Sequence, residues 1–228
     1  VGLQKELTPG KVDSMATSST NTTTYLRRYT DLPALLHLLT ERKLTLLDPK
    51  TWDDKNDSFF ISLYKEKKNL KTVLGLCFSQ TSETYHHWRV FSNGPAGVCV
   101  VFDRDILLTT LNHVRGITTG SMNYMNLFEA KKMVVGVGDL PFLKRSGFKP
   151  EREFRAIFES STEDLPVLEI DIPLASIRSV SLSPWMHSSL SASTAATIRS
   201  INGCAKLKVS RSTLISNEQW KAIGRAAT

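Results

Sequence analysis

The sequence predicts a single α+β domain on a split, strongly bent β-sheet with flanking helices. Strand-like and helix-like segments mix without the regular alternation of a doubly wound sheet. No spaced-glycine fingerprint follows any strand. The last third is strand-rich, interrupted by one helix from about Ser189 to Ile201. With 228 residues, 41% of them hydrophobic, the chain can bury one substantial core.

Residues 1–24 hold a Ser/Thr-rich stretch with little to bury, which predicts a flexible N-terminal arm, with Met15 a candidate natural start. The domain then covers residues 25–228. Tyr25 to Thr30 reads as a strand, and Asp31 as the N-cap of a helix reaching about Lys43, with Pro33 in its first turn. Leu32, Leu35, Leu36 and Leu39 form its apolar stripe. Leu44 to Leu47 is a second strand closed by Asp48-Pro49, and the polar turn Trp52 to Asp57 feeds a helix from about Ser58 to Lys68. Val73 to Ser79 is a buried strand, Glu83 to Phe91 a helix, Gly97 to Phe102 a strand and Arg104 to His113 a helix. Gly116 to Gly147 is the least patterned stretch, with a strand near Met122 to Tyr124 and a helix around Leu127 to Val135. Strands follow at Glu153 to Glu159, Val167 to Ile172, Ile177 to Leu182 and Lys206 to Val209.

The three cysteines are far apart, without the spacing of a zinc site or a disulfide framework, which fits a reducing, cytoplasmic setting. No apolar run approaches the roughly 20 residues that span a bilayer, so no membrane partner is expected. The formal charge of +7 favours polyanions, although the basic residues are scattered along the chain.

Three patterns carry chemistry. Arg27 and Arg28 lie on the first strand, where alternation sends one inward and one outward. An arginine there suits a phosphate through its planar fork, or serves as a surface ion-pair partner. Ser79-Gln80-Thr81-Ser82 ends a buried strand. Its serines can cap the next helix, or Ser79 can hold a ligand or orient a carboxylate. Finally, period two over Glu151 to Phe158 puts Glu151, Glu153 and Arg155 on one face and Arg152, Phe154, Ala156 and Phe158 on the other. Two carboxylates in line repel unless paired or shifted in pKa, as at acid/base sites. The plainer alternative is a solvated strand face with Glu153 paired to Arg155.

Other groups carry less. Asp53, Asp54 and Asp57 lack the glycine and terminal glutamate of a calcium loop and read as a turn and helix cap, so no metal site is assigned. His86 and His87 would point about 100° apart on a helix, which does not suit one ion. Trp88 and Phe91 read as core, and Cys77 as a buried structural thiol.

The order of these pieces resembles DUF2971, a bacterial family catalogued as a domain of unknown function and often found near phage-defence genes. The landmarks are Tyr25 to Leu39, Trp52 to Asp57, Cys77 to Ser79, His86 to Trp88, Gly97 to Phe102 and Glu151 to Arg155. This chain has His87-Trp88-Arg89 where relatives commonly carry Trp followed by a His-Tyr pair. The ordered Arg, Ser-x-x-Ser and Glu-x-Glu patterns are also similar to those of ADP-ribosyltransferases, although the middle motif here is Ser79-Gln80-Thr81-Ser82 rather than Ser-Thr-Ser. That resemblance implies an ADP-ribosyltransferase-like fold and NAD as substrate. It implies that Arg28, or Arg27, holds the NAD pyrophosphate or ribose, that Ser79 positions the ribose and the glutamate, that Glu153 is catalytic and that Glu151 activates the acceptor. Tyr29 and Tyr85 are candidates to stack on nicotinamide. The expectation is therefore an NAD-dependent ADP-ribosyltransferase or NAD glycohydrolase, a phage-defence or toxin effector, with nucleic acid a candidate acceptor. The alternatives are a noncatalytic nucleic-acid or partner-binding module and, behind it, a metal-dependent nuclease using Asp53, Asp54, Asp57 and Glu151.

Overall fold

A computed structural model describes residues 24–92 and 94–227, so the expected N-terminal arm lies almost wholly outside the described residues. The chain opens with β1 (Tyr25–Asp31), α1 (Leu32–Glu41), β2 (Lys43–Leu47), α2 (Lys55–Lys67) and β3 (Thr72–Ser79). It continues through α3 (Tyr85–Phe91), β4 (Gly97–Asp103), α4 (Arg104–Asn112), β5 (Ile117–Ser121), β6 (Asn123–Met125), α5 (Leu127–Lys132) and β7 (Leu143–Arg145). The last elements are β8 (Glu153–Ser160), β9 (Val167–Asp171), β10 (Ile177–Leu182), α6 (Ser188–Ser200), β11 (Lys208–Arg211) and α7 (Glu218–Arg225). This is a mixed α+β domain on an open sheet, as the sequence predicts. No helix among the described residues is long and apolar enough to cross a membrane.

Local chemistry explains most boundaries. The Asp31 carboxylate accepts the Ala34 N–H and caps α1. That helix ends at Glu41, with Arg42 as its C-cap in the left-handed region (φ 60°), so Lys43 belongs to β2. Its buried stripe includes Leu38 beside Leu35 and Leu39, while Leu36 is half-buried. Asp54 caps α2, which therefore starts three residues before the expected Ser58 and places Asp57 in its first turn. Strands β5 and β7 carry no alternation strong enough to stand out in the sequence, whereas α7 is capped by Asn217, which accepts the Trp220 N–H.

The main sheet runs β11-β10-β4-β1-β3-β2-β9, with β8 on the second edge of β3 and β5 beyond β8. Strand β3 pairs with β8 along its whole length, from Thr72 opposite Ser160 to Ser79 opposite Glu153. Its other edge is shared. The β1 register meets it at Arg27 and Ser79, the β2 register at Leu47 and Gly75. Between those points the sheet forks, and the β3 edge at Leu76 to Phe78 faces the gap. This is the split the sequence predicts, placed where β1 and β2 diverge around α1.

One face of the sheet carries the main core, with Leu26, Leu76, Val100 and Phe154 under Leu35, Leu39, Leu107, Leu111 and Ile198 of α1, α4 and α6. The opposite face carries two smaller cores. Ile61 and Tyr64 of α2 pack on Val73 and Ile157, and Trp88 of α3 packs on Tyr29 and Cys99. Helices α2 and α3 thus flank an open stretch of sheet.

Gly75 shows how closely that stretch is fitted. A Cβ there would lie 2.8 Å from Cζ2 of Trp52 and 3.3 Å from Cγ of Pro49. The Trp52 ring in turn covers the Arg155 guanidinium at 4.4 Å. Gly75→Ala is expected to cost about 1–3 kcal/mol, as overpacking of a rigid contact does. A thermal melt would register it, and an unchanged midpoint would contradict the close fit.

Candidate functional site

A cavity of about 390 Å³ opens on the second face, between α2 and α3 and against the fork. Its size is that of a small-molecule pocket, for which about 300–1,000 Å³ is usual. Arg27, Arg28, Ser79, Glu151 and Glu153, candidates from three chain-distant segments, all line it. Tyr29 lines it as well, but its ring is committed to protein, stacked on His87 at 5.3 Å and edge-on to Trp88. Tyr85 is absent from the wall. It is exposed and lies against Trp185, two residues and about 200° of helix rotation from His87, which lines the cavity.

Both arginines reach the cavity, although they alternate along β1, because the cavity sits at the fork. Arg27 donates to the Thr81 carbonyl at 2.9 Å, and Arg28 makes a long bond to the Cys77 carbonyl, 3.4 Å, at the uncovered edge of β3. Among the described residues neither guanidinium has a carboxylate partner, so the surface ion pair allowed by the sequence is not what forms. Burial lowers the Arg28 pKa. An arginine whose five donors meet one distant carbonyl keeps donors that suit an anion.

Ser79 does not cap the following helix. Thr84 does, accepting the His87 N–H, and Ser82 is exposed. The Ser79 hydroxyl donates instead to the Glu151 carbonyl at 2.9 Å and is buried there. The same carbonyl is 3.1 Å from His87 Nε2, whose Nδ1 lies 2.6 Å from the Thr84 hydroxyl. Burial lowers the His87 pKa, so this ring is a neutral strut near pH 7 that anchors Glu151 to α3.

The Glu-x-Glu segment departs from simple alternation. Glu151 ends a short 3-10 turn, Arg152 takes the left-handed conformation (φ 47°), and the strand begins at Glu153. The two carboxylates still converge, because one lysine holds both. Lys144 Nζ, from β7, donates to Glu151 Oε2 at 2.8 Å and to Glu153 Oε2 at 3.0 Å. Glu153 Oε1 accepts two bonds from Arg155, at 2.9 and 2.7 Å. Arg155 closes the network with a bidentate pair to Asp57, 2.9 and 2.7 Å, and a bond to the Pro141 carbonyl. The pairing of Glu153 with Arg155 is present, but the solvated strand face is not: Arg155 is 0% exposed and Glu153 5%. Burial alone would raise the Glu153 pKa, yet Arg155 and then Lys144 outweigh it and hold the carboxylate ionised. For Glu151 burial prevails over Lys144, and its pKa is raised.

The cluster therefore holds three carboxylates, Asp57, Glu151 and Glu153, against two cations, and with all five ionised it is net negative by one charge. Among the described residues Glu151 Oε1 receives no hydrogen bond. Cys77 lies beside Glu153 on the cavity wall, and burial pushes its thiol well above the usual range, in keeping with an unreactive thiol. Asp57 is a partner of Arg155, not only the turn residue it resembles in sequence. No group of His, Cys, Asp and Glu able to hold a metal ion occurs among the described residues.

No protein-family model, curated protein or solved structure matches this chain. The site is thus read from its own chemistry: a half-buried arginine pair lacking anionic partners on one wall, an anchored carboxylate pair on another, and apolar flanks from Trp52, Phe91 and Phe148.

Proposed function

We propose that this chain consumes NAD, as an ADP-ribosyltransferase or an NAD glycohydrolase. The observation that carries the reading is that Arg28, Ser79 and Glu153, 51 and 74 residues apart in sequence, line one cavity. Support also comes from the energetics. A buried network of five charges is expensive to maintain, and such perturbed groups in a cleft are candidates for a functional site. A noncatalytic nucleic-acid module would need a basic exposed face, not carboxylates sealed in a cavity.

In this reading Arg28, with Arg27 beside it, takes the pyrophosphate, and Ser79 and His87 fix the backbone of Glu151. Cleavage breaks the bond between ribose C1′ and the pyridinium nitrogen. The bonding pair leaves with nicotinamide, which becomes neutral, and positive charge develops on the ribose. Glu153, ionised within a net-negative cluster, faces that charge, as carboxylates do at glycoside-cleaving sites. Water or an acceptor hydroxyl then bonds to C1′ and passes its proton to the free oxygen of Glu151. With water the products are nicotinamide, ADP-ribose and a proton.

The test is nicotinamide release from NAD. Arg28→Ala should raise KM by roughly 10–100-fold, the worth of a charge-assisted hydrogen-bond pair, with kcat less affected. An unchanged KM would count against the pyrophosphate site.

A further inference from the structure

The reading above leaves Lys144 without a task, although its ammonium joins the two glutamates and no cavity ligand is needed to explain its bonds. We propose that Lys144 is the positioning residue of this site, clamping Glu151 Oε2 and Glu153 Oε2 on one ammonium so that Glu151 Oε1 is left as the free oxygen of the pair. The inference rests on the NAD reading for its chemistry, but its geometry is independent of it.

Three observations carry it. The Lys144 side chain is 8% exposed, with its nitrogen within 3.0 Å of both glutamates and 3.8 Å from Asp57. Arg155 cannot substitute, since its donors are spent on Asp57, Glu153 and the Pro141 carbonyl. Lys144 is also delivered by a separate element: β7 pairs with β6 in a two-stranded parallel sheet apart from the main sheet. From β6, Tyr124 Oη accepts the Glu153 N–H at 2.8 Å, so this small sheet grips the Glu-x-Glu segment at two points.

The charged and titratable groups around Glu151 are few. Lys144 comes from β7, Glu153 from β8, Tyr124 from β6, and His86 from α3, with His87 on the Glu151 carbonyl. Of these, Lys144 is the cation in direct contact. A cation within about 4–6 Å lowers the pKa of a buried carboxylate, here against the burial that raises that of Glu151, and its removal should add a rise of about 1–3 pH units.

The experiment compares wild type, Lys144→Met, Lys144→Gln and Lys144→Arg, each checked by thermal melting. Two quantities are read: the acid limb of the pH profile for nicotinamide release, and the titration of the Glu151 carboxyl carbon by NMR, assigned through Glu151→Gln. The Met and Gln variants should shift both to higher pH by about 1–3 units, and Arg should restore them. A melt that excludes Met leaves Gln, which keeps a donor but no charge, to decide. A carboxyl titration unmoved in the neutral variants, or a limb still displaced in Lys144→Arg, overturns the role. If wild type releases no nicotinamide, the NAD reading fails, and the carboxyl titration alone decides the part played by Lys144.

Discussion

Replacing Arg155 by methionine is expected to remove about 3–5 kcal/mol of folding free energy, the cost of leaving a buried charge network without one partner. The guanidinium is fully buried and donates to Asp57 through two nitrogens and to Glu153 through two. Methionine fills similar space but leaves Asp57 facing a single distant cation, Lys144 at 3.8 Å. Trp52 also loses the group its ring covers. Urea unfolding measures the effect, and it should be pH-dependent. In the variant Glu153 loses the cation that chiefly holds its pKa down. In wild type a depressed carboxylate pKa contributes stability above its unfolded value and loses it as pH falls through the folded value. The gap between wild type and variant should therefore be widest near neutrality and narrow in acid. A loss below 1 kcal/mol would mean that the network relaxes or takes up water.

Glu153→Gln is expected to lower kcat for nicotinamide release by roughly 10²–10³-fold, the scale for removing one preorganised charge partner from a reacting centre. Glutamine is nearly isosteric and keeps one oxygen for Arg155, while its amide nitrogen takes the place of the oxygen that accepts from Lys144, which is left to Glu151. What disappears is charge: the cluster becomes neutral where it had been net negative. KM should stay within a few-fold, since the pyrophosphate is held on the other wall by Arg28. Parallel losses in kcat and in thermal stability would assign Glu153 to the fold and not to the reaction.

How much of this was legible in the sequence follows from what each signal depends on. Local signals read well. The Asp31 cap and the alternation of Phe154, Ala156 and Phe158 depend on near neighbours, and each sits where the pattern implies, while the turn before α2 is shorter than expected because Asp54 caps that helix. Arg28, Ser79 and Glu153 were legible as candidates because strand ends concentrate such groups. Their meeting depends on the register that sets Arg27 opposite Ser79 and Ser79 opposite Glu153. No local pattern encodes that register.

The rest was hidden for the same reason. Lys144 lies in a stretch where Leu140, Pro141 and Leu143 are buried without regular period, so its inward side chain gives no sign of itself. Asp57 resembles a helix-start aspartate, and only the partner 98 residues away shows it to be a buried ion. Tyr85 failed as a site residue because two residues along a helix are a rotation of about 200°: His87 lines the cavity and Tyr85 is exposed.

The central claim is that one cavity binds NAD by its pyrophosphate beside a carboxylate pair. Calorimetric titration of NAD into Glu153→Gln protein, in which the bound dinucleotide should persist, tests it most directly, with the Arg28→Ala, Glu153→Gln double variant alongside. The account predicts one site per chain and an affinity at least 10-fold weaker in the double variant. No binding, or equal affinity in both proteins, would contradict it.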